Sequence, residues 1–220
     1  MNSDHVFIGV HGINVTFPQL TINKFRGAVE FYGAEYDAFT YGHMNIGQIH
    51  WVNRLLAQSL VDRIEHWLLL DKKVHVVCHS NGAAILHLAH RIIGHELESV
   101  ICVNPALKQD LIPYASAKQI LVAHNEEDRV VEWARLFTLF TFGAVDLRPW
   151  GEMGRYGYQG AKFAKLTNFD TAEGPYPALG HSGLFFGAPA FYWIPLLISR
   201  ALNLPAPPLF LGAEGVPDGD

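Results

Sequence analysis

The sequence predicts an α/β fold: an open, mostly parallel sheet of about six strands with helices on both faces. Three observations predict it. Short β-branched runs alternate with longer segments of helical period along the whole chain. The segment 82–93 is helical but apolar over most of its circumference, as a helix enclosed between a sheet and other elements must be. The residues able to do chemistry fall at the carboxyl ends of the strand-like runs or in a late loop, where open parallel sheets place their sites.

The strands read, in order, as 5–10, 35–40, 74–78, 99–103, 119–124 and 165–169. Between the second and third, Ile49, Val52, Leu56, Leu60, Ile64, Trp67 and Leu68 recur at three- and four-residue steps, which predicts a helix over 47–70. Further helices are expected over 82–93, 132–142 and 190–202. A chain of 220 residues, 50% hydrophobic, suits one domain with a sizeable core, here 1–202. Beyond it, Pro205, Pro207, Pro208, Gly212, Gly215, Pro217 and Gly219 mark 203–220 as a flexible tail without chemistry.

The net charge of −5 comes from scattered acids, and no basic stripe is present to meet a phosphate backbone, so nucleic acid is not an expected partner. Cys78 and Cys102 lie in strand-like runs, which suits reduced, buried thiols. With no basic, apolar, small-residue leader ahead of Val6, a cytoplasmic location is expected. The apolar run 184–199 is short for a membrane span and holds Pro189 and Pro195. A packed final helix is expected there, with an interfacial membrane contact as the other reading.

The most informative stretch is Val74-His75-Val76-Val77-Cys78-His79-Ser80-Asn81-Gly82, a strand that meets a helix with a serine at the junction. A serine hydroxyl attacks only when a base takes its proton and the surroundings accept the charge formed on the substrate oxygen. A sharp strand-to-helix turn lifts Ser80 clear of the sheet and aims the backbone N–H of Asn81 and the positive helix end at that oxygen. Gly82 lets the turn pass close to its neighbours.

With C-H-S-N-G standing at the elbow, the chain resembles the α/β-hydrolase superfamily, and within it the small, lidless esterase- and lipase-like members. Cys78 stands where the family pattern G-x-S-x-G has its first glycine. Phe7-Ile8-Gly9-Val10-His11-Gly12-Ile13 is similar to the family's earlier strand ending in His-Gly, and the resemblance implies that Ile13, or in its place Gly12, gives the second oxyanion N–H. Asn125-Glu126-Glu127-Asp128-Arg129-Val130-Val131 is similar to the acid loop, which makes Asp128 the acid, with Glu126, Glu127, Asp110 and Asp170 as fallbacks. Gly180-His181-Ser182-Gly183 then supplies the base, and Ser80, Asp128, His181 follow the family's chain order. The resemblance runs through about Leu202 and lacks the family's usual first strands.

His79 and Tyr156 are the candidates for contact with substrate, and the glycine- and aromatic-rich segment 143–164 is either a flap over the site or a surface excursion. His75 reads as a core residue with its polar atoms satisfied. His87, His90 and His95 have no Cys or carboxylate at ligand spacing, so no metal is expected, and the mechanism implied needs no cofactor. That mechanism is hydrolysis of a small or lipid-like carboxylic ester through an acyl-enzyme. A thioesterase or an amidase or peptidase with the same triad, and a hydrolase-like binding protein without catalysis, are the competing readings.

Overall fold

A computed structural model of the chain describes residues 4–13, 21–42, 49–130 and 149–205. Within them, β1 (His5–Val10), β2 (Glu35–Phe39), β3 (Lys73–His79), β4 (Ser99–Val103), β5 (Ile120–His124) and β6 (Leu166–Asp170) form one sheet in the order β2-β1-β3-β4-β5-β6. Every neighbouring pair is parallel. The predicted strands are all present, each within a residue of its expected ends.

Successive side chains on a strand point to opposite faces, and the core divides accordingly. Val6, Ile8 and Val10 of β1 and Val74, Val76 and Cys78 of β3 pack on one face with Ala57, Leu60 and Ile64 of α2 (Ile49–Leu69) and Ile85 and Leu86 of α3 (Gly82–Ile92). Phe7 of β1 and Val77 of β3 enter the other face. There they meet Phe25 and Val29 of α1 (Phe25–Phe31) and Trp193, Ile194, Leu197 and Ile198 of a final helix. Each fully buried aliphatic or aromatic side chain of this kind contributes about 1.5–3 kcal/mol.

Helix α1 is absent from the predicted set, because seven residues with Gly27 in the middle give too short a period to recognise. The final helix, Gly187–Ala201, begins three residues before the expected 190. Pro189 falls in its first turn, where a missing N–H breaks no intrahelical bond. No helix among the described residues is long and apolar enough to cross a membrane. The helix expected over 132–142 lies outside the described residues, as does most of the expected tail.

The segment considered as a flap is described from 149 onward, and its first part is laced down. Lys108 N–H donates to the Pro149 carbonyl at 3.0 Å, while Met153 and Gly154 donate to the Leu107 and Pro105 carbonyls at 2.9 Å. Trp150 and Met153 are buried. A short helix, α4 (Met153–Tyr156), follows, and α5 names the final helix in chain order. Backbone hydrogen bonds and two buried apolar side chains make 149–156 a wall of the core rather than a free flap.

The chain leaves β1 toward β2 and later leaves β3 in the opposite direction, toward β4. The carboxyl ends of β1 and β3 therefore border the crevice where the winding reverses, the place where open α/β sheets bind ligands.

Candidate active site

Ser80 stands at that crevice, immediately after β3, with φ of 55°. A non-glycine residue in this left-handed region costs energy and persists only where the surroundings impose it. Two glycines do so. A Cβ on Gly82 would lie 2.5 Å from the Val10 carbonyl oxygen, and one on Gly12 would lie 2.8 Å from Ser80 Cβ and 3.2 Å from its Oγ. Only glycine at both positions lets β1 and the turn after β3 approach this closely. Ser80 N–H donates to the Val103 carbonyl at 3.2 Å, and the Ser80 carbonyl accepts from Ala83 and Ala106 N–H, so the turn is tied to its own helix and to the loop after β4.

Cys78, where the family pattern has glycine, has room because its thiol turns away from the elbow toward the α2/α3 face. Its Sγ lies 3.3 Å from that of Cys102, its register partner on β4, and both thiols are free and buried.

The loop after β1 is set by His11. Its Nδ1–H donates to the Gly12 carbonyl at 2.6 Å while Nε2 accepts from Tyr41 N–H at 3.1 Å. The ring stacks on Tyr41 at 4.0 Å, and burial lowers its pKa, so it is neutral. With the Gly12 carbonyl held by His11, the N–H of Ile13 points to the opposite side of the same trans peptide. Among the described residues neither Ile13 N–H nor Asn81 N–H has an acceptor. The Asn81 side chain makes three hydrogen bonds: it exchanges two with Asn53 of α2, at 2.8 and 2.9 Å, and accepts a third from Trp150 Nε1 at 2.7 Å.

Asp128 and His181 meet. Both carboxylate oxygens lie within hydrogen-bond distance of His181 Nδ1, at 3.0 and 2.9 Å. The Asp128 side chain is 2% exposed and the imidazole 15%. Asp128 Oδ1 also accepts from Val130 N–H, and a Cβ on Gly154 of α4 would come within 2.5 Å of Oδ2, so the carboxylate is wedged in place. The fallback acids are elsewhere in character: Glu126, Glu127 and Asp110 are exposed, and Asp170 accepts from Ala172 N–H.

His181 lies beside the end of β3, its ring 4.7 Å from that of His79, the residue before Ser80. Among the described residues no hydrogen bond joins Ser80 Oγ to the imidazole. His79 is 3% exposed, set edge-on to Phe185 at 4.9 Å, with Nε2 donating to the His181 carbonyl at 3.0 Å. Burial, then the His181 charge, drives its pKa far down, so the ring is neutral. Tyr156 stands at the end of α4, partly exposed beneath the Arg155 guanidinium.

Two polar residues escaped the sequence reading. Asn104 and Asn125, directly after β4 and β5, are buried between those strand ends and the His181 loop. The available signal was an asparagine closing each apolar run, and Asn104 has a φ of 42° that asparagine tolerates better than most residues.

No family model matches the sequence, and no curated protein matches it either. Solved structures do. A serine hydrolase of the α/β class without a lid, from Xanthomonas campestris, is 15% identical with a TM-score of 0.52, the match covering 93% of this chain and 84% of that one. Est1E from Butyrivibrio proteoclasticus is 12% identical with a TM-score of 0.54, over 90% of this chain and 88% of its own. A structure from the metagenome-derived lipolytic enzymes LipS and LipT is 11% identical at a TM-score of 0.54, over 91% and 93%. The chain has the α/β-hydrolase fold.

Proposed function

We propose that the protein is a serine hydrolase that cleaves a carboxylic ester through an acyl-enzyme on Ser80. The observation that carries the reading is a serine held left-handed between Gly12 and Gly82, at the reversal point of the sheet, beside an imidazole paired with a buried carboxylate. In this reaction His181 takes the proton from Ser80 Oγ as it attacks the ester carbonyl, and Asp128 holds the ring and stabilises its charged form. The N–H groups of Ile13 and Asn81 receive the charge on the carbonyl oxygen. His181 returns the proton to the departing alcohol, then activates water to release the acid and free Ser80. Contacts between nucleophile and base are often loose before substrate arrives and tighten in the complex, so a resting Ser80 without a bond to His181 fits this sequence of steps.

Tyr156, exposed beside the acid loop, is our candidate for contact with substrate, and His79 acts from behind the imidazole. The lipolytic neighbours favour substrates with apolar acyl groups. So does the rim: Trp51 and Leu55 in the first turns of α2, Leu179 next to the His181 loop, and Phe186 and Phe191 at the start of α5 are all exposed. Helices that follow parallel strands begin at the carboxyl edge, so these side chains surround the mouth of the site and suit an interfacial contact with a lipid-like substrate.

The test is an acyl-ester series of increasing chain length, run with intact protein and with Ser80→Ala, together with fluorophosphonate labelling. Labelling confined to intact Ser80 and turnover that disappears in the variant are expected. An intact serine that never labels would favour a binding protein instead, and matched ester, thioester and amide substrates in competition separate the remaining readings.

A further inference from the structure

We infer that Asn104, Asn125 and His79 form a clamp on the backbone of residues 180 and 181 and act as positioning residues for the His181 imidazole. The inference rests on the proposed role of His181 as the base.

A loop of the form Gly180-His181-Ser182-Gly183 has little to hold it. Gly180 has φ of 72°, a conformation glycine enters freely, and Gly183 follows two residues after the histidine. A ring on such a loop would sample many orientations, yet a general base must face its acid and its nucleophile within a narrow range. The three buried side chains supply the restraint the backbone lacks.

Their hydrogen atoms are fully committed. Asn104 Nδ2 donates to the Gly180 carbonyl at 3.1 Å and to the His181 carbonyl at 2.8 Å. Asn125 Nδ2 donates to the same Gly180 carbonyl at 3.1 Å and to Asn104 Oδ1 at 3.3 Å, while its Oδ1 accepts from Gly180 N–H at 2.9 Å. His79 Nε2–H completes the set at the His181 carbonyl. The His181 carbonyl thus receives two side-chain donors, one for each lone pair; the Gly180 carbonyl receives both asparagine amides together with a longer bond from Gly183 N–H at 3.5 Å, and Gly180 is gripped at its own N–H as well.

The arrangement also fixes what each group must be. A carbonyl only accepts, so the amide nitrogen and oxygen of both asparagines have one possible orientation, and His79 must carry its proton on Nε2. The clamp reaches the acid by a second route: Asn125, whose carbonyl accepts from Asp128 N–H at 3.1 Å, belongs to the same turn as the carboxylate. One residue therefore holds the acid loop and the base loop together. Asn104, directly after β4, ties the pair to β5 through its N–H on the Ala123 carbonyl, and His79 ties it to β3 and so to Ser80.

Two variants remove donors while sparing the frame. Asn104→Gly keeps a residue at ease with positive φ, and His79→Phe keeps an aromatic ring against Phe185; His79→Gln restores a donor at similar reach. Each donor-removing variant is expected to lower kcat by about 10- to 100-fold with KM within about twofold, since misplacement of a catalytic group by about 1 Å has effects of that size. His79→Gln should recover most of the loss. Independently of turnover, the downfield proton resonance of His181 Nδ1–H bound to Asp128, identified by its loss in His181→Ala, should broaden or vanish in both variants and persist in His79→Gln. Folded variants with native kcat and an unchanged resonance would overturn the clamp. If Asn104→Gly does not fold, the His79 pair decides the matter alone. Turnover that survives in Ser80→Ala would sink the catalytic reading while leaving the resonance as a separate measure of the clamp.

Discussion

His75 and His79 stand on the same face of β3, one toward each end, and burial keeps both rings neutral. At the amino edge of the sheet His75 is satisfied at both nitrogens, by His5 at 2.9 Å and Ser99 Oγ at 2.7 Å, and its ring stacks on Phe7 at 4.2 Å. At the carboxyl edge His79 has one nitrogen bonded, while Nδ1 is buried with no hydrogen-bond partner among the described residues. Beside it lie the left-handed Ser80 and Asn104. Residue type, burial and charge state are alike, and what differs is the edge. For this pair of rings, the unmatched nitrogen and the strained neighbours fall where the loops converge, whereas His75 at the opposite edge has both nitrogens paired.

The comparison can be broken most severely at the carboxyl edge. Ser80→Ala should lower turnover by about four orders of magnitude. Its thermal midpoint should stay near that of the parent, measured by circular dichroism; a matching collapse in stability would make the strained edge structural rather than catalytic.

The next effect belongs to the amino edge and depends on pH. Burial, and then His5, Lys73 and Lys118, lower the His75 pKa from the ordinary 6.5 to about 3. The unfolded chain therefore takes up this proton first as the solution is acidified. Stability owed to the neutral ring is intact above about 6.5 and falls as pH drops toward about 3, where the folded ring titrates too. Each pH unit inside that window is worth up to about 1.4 kcal/mol. Urea melts of His75→Phe against pH should show a flatter acid limb, and an unchanged limb would remove His75 from the account.

Gly82→Ala sharpens the contrast at smaller scale. The added methyl meets the Val10 carbonyl at 2.5 Å, and the loss should be about 1–3 kcal/mol, read as a lowered urea midpoint with activity reduced. The smallest change is Trp150→Phe, which removes one of three hydrogen bonds at the Asn81 side chain. About 1 kcal/mol of stability should go, and an effect beyond about 3 would mean that Trp150 holds the elbow by more than this bond.

Much of this was legible in the residues because it is local. An apolar run closed by His-Gly, or by a serine before Asn-Gly, announces both a strand and the sharp turn that ends it, and those signals located β1, β3 and Ser80. Asp128 and His181 could be assigned by chain order, and they do meet, although their hydrogen bonds span 53 residues. Asn104, Asn125, Asn53 and Trp150 were not readable in the same way. Each acts through a partner between 21 and 77 residues away, and an asparagine or tryptophan carries no local mark of the carbonyl or amide it will meet. Helix α1 was missed for the opposite reason: it is local, but Phe25 and Val29 alone are too few repeats to establish a period.

The donors that grip His181 come from positions 77 and 102 residues earlier in the chain. In chain order Ser80, both donors and β1 to β5 therefore precede the imidazole, whereas α5, which covers the Phe7 and Val77 face of the sheet, follows it. On the proposed mechanism the hydroxyl meets its base only once residues 180 and 181 have docked on these donors. The same closing stretch of chain would then complete the core and supply the proton acceptor.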